Sequence, residues 1–135
     1  MTIQRVRGEQ GSVAISGLLF ALALIVLIGT GVDIAHAFIV RRDLTAIADD
    51  AALVGSQQID VQAWRQGRLA LNGPQAEQAA ESALAANPGI VGTAQVLPGS
   101  IIVQVKERLP TMIFRLVGIP DLTVSASATA EPKQP

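Results

Sequence analysis

The only histidine of this 135-residue chain, His36, stands three residues after Asp33, a spacing that puts both on one face of a helix. Such a pair could pass a proton, but a dyad with no nucleophile and no third ligand neither activates an attack nor encloses a metal. A satisfied histidine at a membrane interface accounts for His36 more simply. Asp49 and Asp50 offer two carboxylates, yet adjacent helix residues do not face one another, so a solvated or subunit-contacting face fits them better than a metal pair. No serine sits in a G-x-S-x-G elbow, and neither a P-loop nor a G-x-G-x-x-G run is present. The absence of cysteine removes thiol catalysis and cysteine-based metal sites. With net charge −1, three Phe, one Trp and no Tyr, there is neither a basic stripe nor a stacking surface for nucleic acid. The expectation is a protein that is not an enzyme, with no catalytic residues, no metal, no cofactor and no nucleic-acid partner.

Two stretches suit chemistry done to the chain rather than by it. Arg7-Gly8-Glu9-Gln10-Gly11-Ser12 is a polar leader ending in glycine directly before an apolar run. A protease at the cytoplasmic membrane face needs a small, flexible residue there so that the backbone can extend into its site, and Gly11 before Ser12 supplies one. An ordinary polar flank of a transmembrane helix would look the same. Ala35-His36-Ala37 before Phe38 is an A-x-A pattern of the kind a signal peptidase cuts. The apolar run ahead of it is longer than the roughly 7 to 15 residues of a signal peptide. Cleavage after Ala37 remains the alternative, and it would release a secreted soluble binding domain.

Both candidate cuts lie on one long element. Residues 13–32 (VAISGLLFALALIVLIGTGV) hold no charge and no proline, and about 20 such residues cross a bilayer as a helix. This run explains why half the chain is hydrophobic while 16% is charged. Beyond it, Val40, Leu44, Ile47, Ala51 and Val54 continue at steps of four and three, the spacing of a packed helical stripe. One helix over 12–57 is therefore expected, transmembrane in its first half and a stalk in its second, with Gly29 and Gly31 placed to bend it. The small residues Gly17, Ala21, Ala23, Gly29 and Gly31 would let neighbouring membrane helices approach closely. The 40/44/47/51/54 stripe would dock a partner helix or the chain's own head.

A polar stretch follows, then Asn72-Gly73-Pro74 as the start of a helix reaching about Ala86. Two strands, Ile90–Leu97 and Ile101 to Val105 or beyond, are joined by Pro98-Gly99-Ser100. Ile101, Val103 and Val105 alternate with Ile102, Gln104 and Lys106, as a strand with one buried face does. Pro110–Gly118 reads as a short helix and Leu122–Ala130 as a last strand. The expected fold class is α+β: a cytoplasmic leader 1–11, the helix 12–57, a small antiparallel-sheet head with one or two helices over 58–130, and a flexible tail 131–135.

Three stretches together resemble the TadE/TadG-like, pilin-like proteins of the tight-adherence (Tad, or Flp) pilus machinery. They are Arg7-Gly8-Glu9-Gln10-Gly11-Ser12-Val13-Ala14-Ile15; Arg41-Arg42-Asp43-Leu44-Thr45-Ala46-Ile47-Ala48-Asp49-Asp50-Ala51-Ala52-Leu53-Val54-Gly55; and Leu109-Pro110-Thr111-Met112-Ile113-Phe114-Arg115-Leu116-Val117-Gly118-Ile119 followed by Val124–Ala130. The resemblance implies a pilin-like pilus-assembly or secretion component of the bacterial cytoplasmic membrane; a single span with Arg5 and Arg7 before it, against Arg41 and Arg42 after it, puts the N-terminus inside and the head outside by the positive-inside rule. It would work among other pilin-like subunits, in or beside a pilus. The resemblance also implies processing by a prepilin peptidase between Gly11 and Ser12. In prepilins the fifth residue of the processed chain is usually a glutamate that pairs with a neighbour's N-terminal amine; here it is Ser16. A buried carboxylate needs such a partner and a serine does not, which favours a minor, priming or accessory role, or no processing at all, over the role of a bulk pilin.

Overall fold

The structure, a computed structural model, describes residues 6–133, with side chains from Gly11 onward. Arg5 of the leader and Gln134 and Pro135 of the expected tail lie outside the described residues. The first element, α1 (Val6–Ser56), runs without interruption through Gly29 and Gly31. Then come α2 (Val61–Arg65), α3 (Gly73–Ala85), β1 (Val91–Leu97), β2 (Ser100–Pro110), a 3-10 turn at Phe114–Val117, and β3 (Asp121–Ala130). These elements fall into two compact units. One holds the chain up to His36 together with Thr111–Pro120, and the other holds Ala37–Pro110 and the chain from Asp121 onward.

In the second unit the strands form one antiparallel sheet in the order β1-β2-β3. Leu97 pairs with Ser100 across Pro98-Gly99, and Gly99 takes the left-handed φ of +86° that such a turn asks for. Register then sorts the side chains into rows. Gly92-Val105-Ala126, Ala94-Val103-Ala128 and Val96-Ile101-Ala130 lie side by side on one face. Each row puts a β-branched residue in the centre with smaller or equal neighbours, so a helix can lie close above β2. Thr93-Gln104-Ser127 forms a polar row on the opposite face. Ile101, Val103 and Val105 are fully buried, as their alternation predicts.

That buried face is covered by α3 through Ala76, Ala80 and Leu84 and by the end of α1 through Leu44, Ala48, Ala51 and Ala52. The first turn of α3 is fixed by the Asn72 side chain accepting from Gln75 N–H, with Pro74 just inside the helix. Glu77 Oε1 accepts the outward N–H of Val96 on the edge strand β1 at 3.3 Å, which closes part of an otherwise open sheet edge. Gly55 marks the closest approach. A Cβ there would meet Ile101 Cδ1 at 2.5 Å and the Ala76 carbonyl oxygen at 3.0 Å.

Two local details differ from the sequence expectation. The polar stretch after α1 contains α2, nucleated because Asp60 Oδ1 accepts from the N–H groups of Gln62 and Ala63 at 2.8 and 3.2 Å. Pro110 does not open a helix; it closes β2, opposite Asp121. A proline is tolerated at a strand end, and only Phe114–Val117 turns helically before Gly118.

Candidate functional site

Within the first unit, α1 from Gly11 to Ile28 presents exposed side chains throughout, among them Val13, Ile15, Leu18, Leu19, Phe20, Ile25, Leu27 and Ile28. Apolar surface of that extent, on every side of a helix, has no stable place in water. Among the described residues this is the one helix long and apolar enough to cross a membrane, and the protein associates with membranes through it.

Gly11 and Ser12 are helical and exposed, and nothing lies within 4 Å of where a Gly11 Cβ would be. Ser16 Oγ donates to the Ser12 carbonyl oxygen at 2.9 Å, so its hydroxyl is satisfied one turn back in its own helix. Ala35 is exposed and Ala37 half-buried, both inside α1. Gly17, Ala21 and Gly31 are exposed. Gly29 is different, because its open side is filled by the chain itself: a Cβ there would collide with the Ile113 side chain. The small-residue surface open to another helix is thus Gly17, Ala21 and Gly31, without Gly29.

Asp33 follows the apolar run by one residue and is buried. Its partner is not His36, which is exposed, but the backbone of a loop far along the chain. Oδ1 accepts from Met112 N–H at 2.9 Å, and Oδ2 accepts from Ile113 N–H at 2.9 Å and Phe114 N–H at 3.2 Å. Three converging donors match a carboxylate, which is acceptor-only when ionised. Thr111 closes the neck of the loop: its N–H donates to the Pro120 carbonyl oxygen at 3.0 Å and its hydroxyl to that of Ile119. Inside, Leu116 N–H donates to Ile113 O, Gly118 N–H to Arg115 O and Ile119 N–H to Phe114 O. Sequence reasoning missed this role of Asp33. The signal was present, since an acid at the very end of a membrane-length apolar run requires a partner.

In the second unit Leu44 and Ala51 are fully buried, Val40 and Ile47 are half-buried against the core, and Val54 is exposed. The docking surface on α1 runs instead through Leu44, Ala48, Ala51, Ala52 and Gly55, and the chain's own head occupies it. Val54, the last residue of the expected stripe, lies outside the head's core. No three His, Asp or Glu side chains among the described residues are grouped to hold a metal. Asp49 and Asp50 are both exposed.

Residues 11–65 match the family model described as Flp pilus-assembly TadE/G-like. No curated protein and no solved structure matches the chain.

Proposed function

We propose, from the match of residues 11–65 to the TadE/G-like family model of Flp pilus assembly, that the chain is a member of that family and serves there as a minor or accessory pilin-like subunit. Its role in pilus assembly is structural and not enzymatic, and its partners are other components of that machinery. The observation that carries the finer reading is the continuity of α1: one helix supplies both a wholly exposed apolar surface and the lid of the head's core. The work is then packing. Val13–Val32 spans the cytoplasmic membrane once, Gly17, Ala21 and Gly31 receive neighbouring membrane helices, and the head stands outside the cytoplasm. Arg5 and Arg7 precede the span and Arg41 and Arg42 follow it, so the positive-inside rule favours an inward N-terminus only by a little.

Processing by a prepilin peptidase between Gly11 and Ser12 is part of this reading. The helix would have to open at Gly11, where glycine lowers helix stability by about 1 kcal/mol relative to alanine. Ser16, satisfied by Ser12 O, makes no demand for a neighbour's amine, in keeping with an accessory place. The test is the intact mass and N-terminal sequence of the protein recovered from membranes of cells carrying the whole assembly system. A chain starting at Ser12 is the expected result. An uncut chain would remove the processing step and leave a membrane accessory, whereas a start at Phe38 would overturn the anchor.

A further inference from the structure

We propose that the loop Thr111–Pro120 is a second membrane contact, an apolar wedge that enters the lipid interface beside α1 and is held there by Asp33. The proposal rests on the reading that residues 13–32 span the bilayer. Met112, Leu116 and Val117 are 75%, 77% and 71% exposed, and Ile119 is exposed beside them. A loop facing only water gains nothing from such side chains. Their depth is set by Ile113, which fills the open side of Gly29. Gly29 lies three residues before the end of the apolar run, roughly 4.5 Å inside it at the rise of an α-helix. The surface of the loop is thus continuous with the lipid-facing surface of the helix.

Irregular backbone at that depth requires its polar groups to be paired within the protein. Seven of the loop's nine backbone N–H groups meet this condition. The N–H groups of Met112, Ile113 and Phe114 end on Asp33, and those of Thr111, Leu116, Gly118 and Ile119 end on carbonyls of the loop itself. Pro120 has no N–H to satisfy. Arg115, the one charge in the segment, has a stem long enough to keep its guanidinium at headgroup level. A carboxylate that closes three amides while an isoleucine seats on a glycine makes a clasp. The occupant it suits is acyl chain, because the clasped face already adjoins the helix surface that lipid covers.

The chain has no cysteine, so single-cysteine labels report without ambiguity. Full-length Leu116→Cys, and independently Met112→Cys, would carry an environment-sensitive fluorophore in phosphatidylethanolamine/phosphatidylglycerol nanodiscs. Val26→Cys serves as the anchor control and Gln104→Cys as the head control. The loop labels are expected to lose most of their emission to lipid bearing a nitroxide near the headgroup, and little to aqueous iodide. Adding Asp33→Ala should return them to iodide. Loop labels quenched by iodide as Gln104→Cys is would overturn the proposal. So would labels shielded from both quenchers, which would mean that a second copy covers the loop. Failure of lipid quenching at Val26→Cys would bring down the spanning reading and this one together, whereas quenching there without quenching at the loop sinks this one alone.

Discussion

Asp33 does for three consecutive N–H groups of an irregular segment what a run of secondary structure usually does. Exchange for asparagine turns one of its two acceptors into a donor facing an N–H, leaving at least one amide unpaired at about 1–3 kcal/mol. That cost falls on the loop, not on the head, whose core is made elsewhere. Asp33→Asn is therefore expected to speed tryptic cleavage after Arg115 while leaving the thermal melt of the head unchanged; equal cleavage of both proteins would show that the clasp holds nothing. Gly55 is the other single residue on which much depends. A valine there meets Ile101 and the Ala76 carbonyl, and overpacking of this kind costs about 1–3 kcal/mol. Chemical denaturation should show a lower midpoint for Gly55→Val, whereas Gly31, with nothing within 4 Å, should accept alanine without loss.

At the scale of elements, the end of α1 has two faces with different duties. Leu44 is fully buried and Leu53 about half exposed. Leu44→Asp loses the leucine and buries a carboxylate without a partner, which should cost upwards of about 3 kcal/mol and unfold the head. Leu53→Asp should leave the melt in place, so any defect in complex formation by that variant, read by co-purification with partner subunits, belongs to assembly alone. The pair separates burial in the chain's own head from contact with partner subunits on the outer face of the helix. Much of this architecture was legible: the alternation in β2, the Asn72-Gly73-Pro74 helix start and the Pro98-Gly99 turn are each short-range rules obeyed locally. The buried face of α1 was legible only in part. A repeat of four and three averages 3.5 residues per turn and drifts by about 20° per heptad around a 3.6-residue helix, so by Val54 it has left the core. The true continuation passes through Ala48, Ala52 and Gly55, which hydrophobicity alone does not single out. Asp60 as a cap and Pro110 as a strand end were hidden because each sits where its residue type permits two roles. The Asp33 clasp joins residues some 80 positions apart, and no pattern in one sequence specifies that pairing.

On the scale of the whole molecule, the compact units do not follow the order of the chain. The head's core takes Leu44, Ala48, Ala51 and Ala52 from the end of α1, and the segment between β2 and β3 belongs with the membrane part. A head of about 75 residues without disulfides is marginal on its own, and without α1 the inner face of its sheet would be covered by α3 alone. A soluble chain beginning at Phe38 keeps every core residue and should unfold cooperatively on heating. A chain beginning at Gln58 lacks the α1 face, leaves Ile101 and Val103 open to water and should show no cooperative transition by circular dichroism. If both melt alike, α3 alone suffices to cover β2, and α1 is merely a tether. If only the longer chain melts, the helix that anchors the protein also completes its fold, and displacement of the helix by a neighbouring subunit would unfold the head.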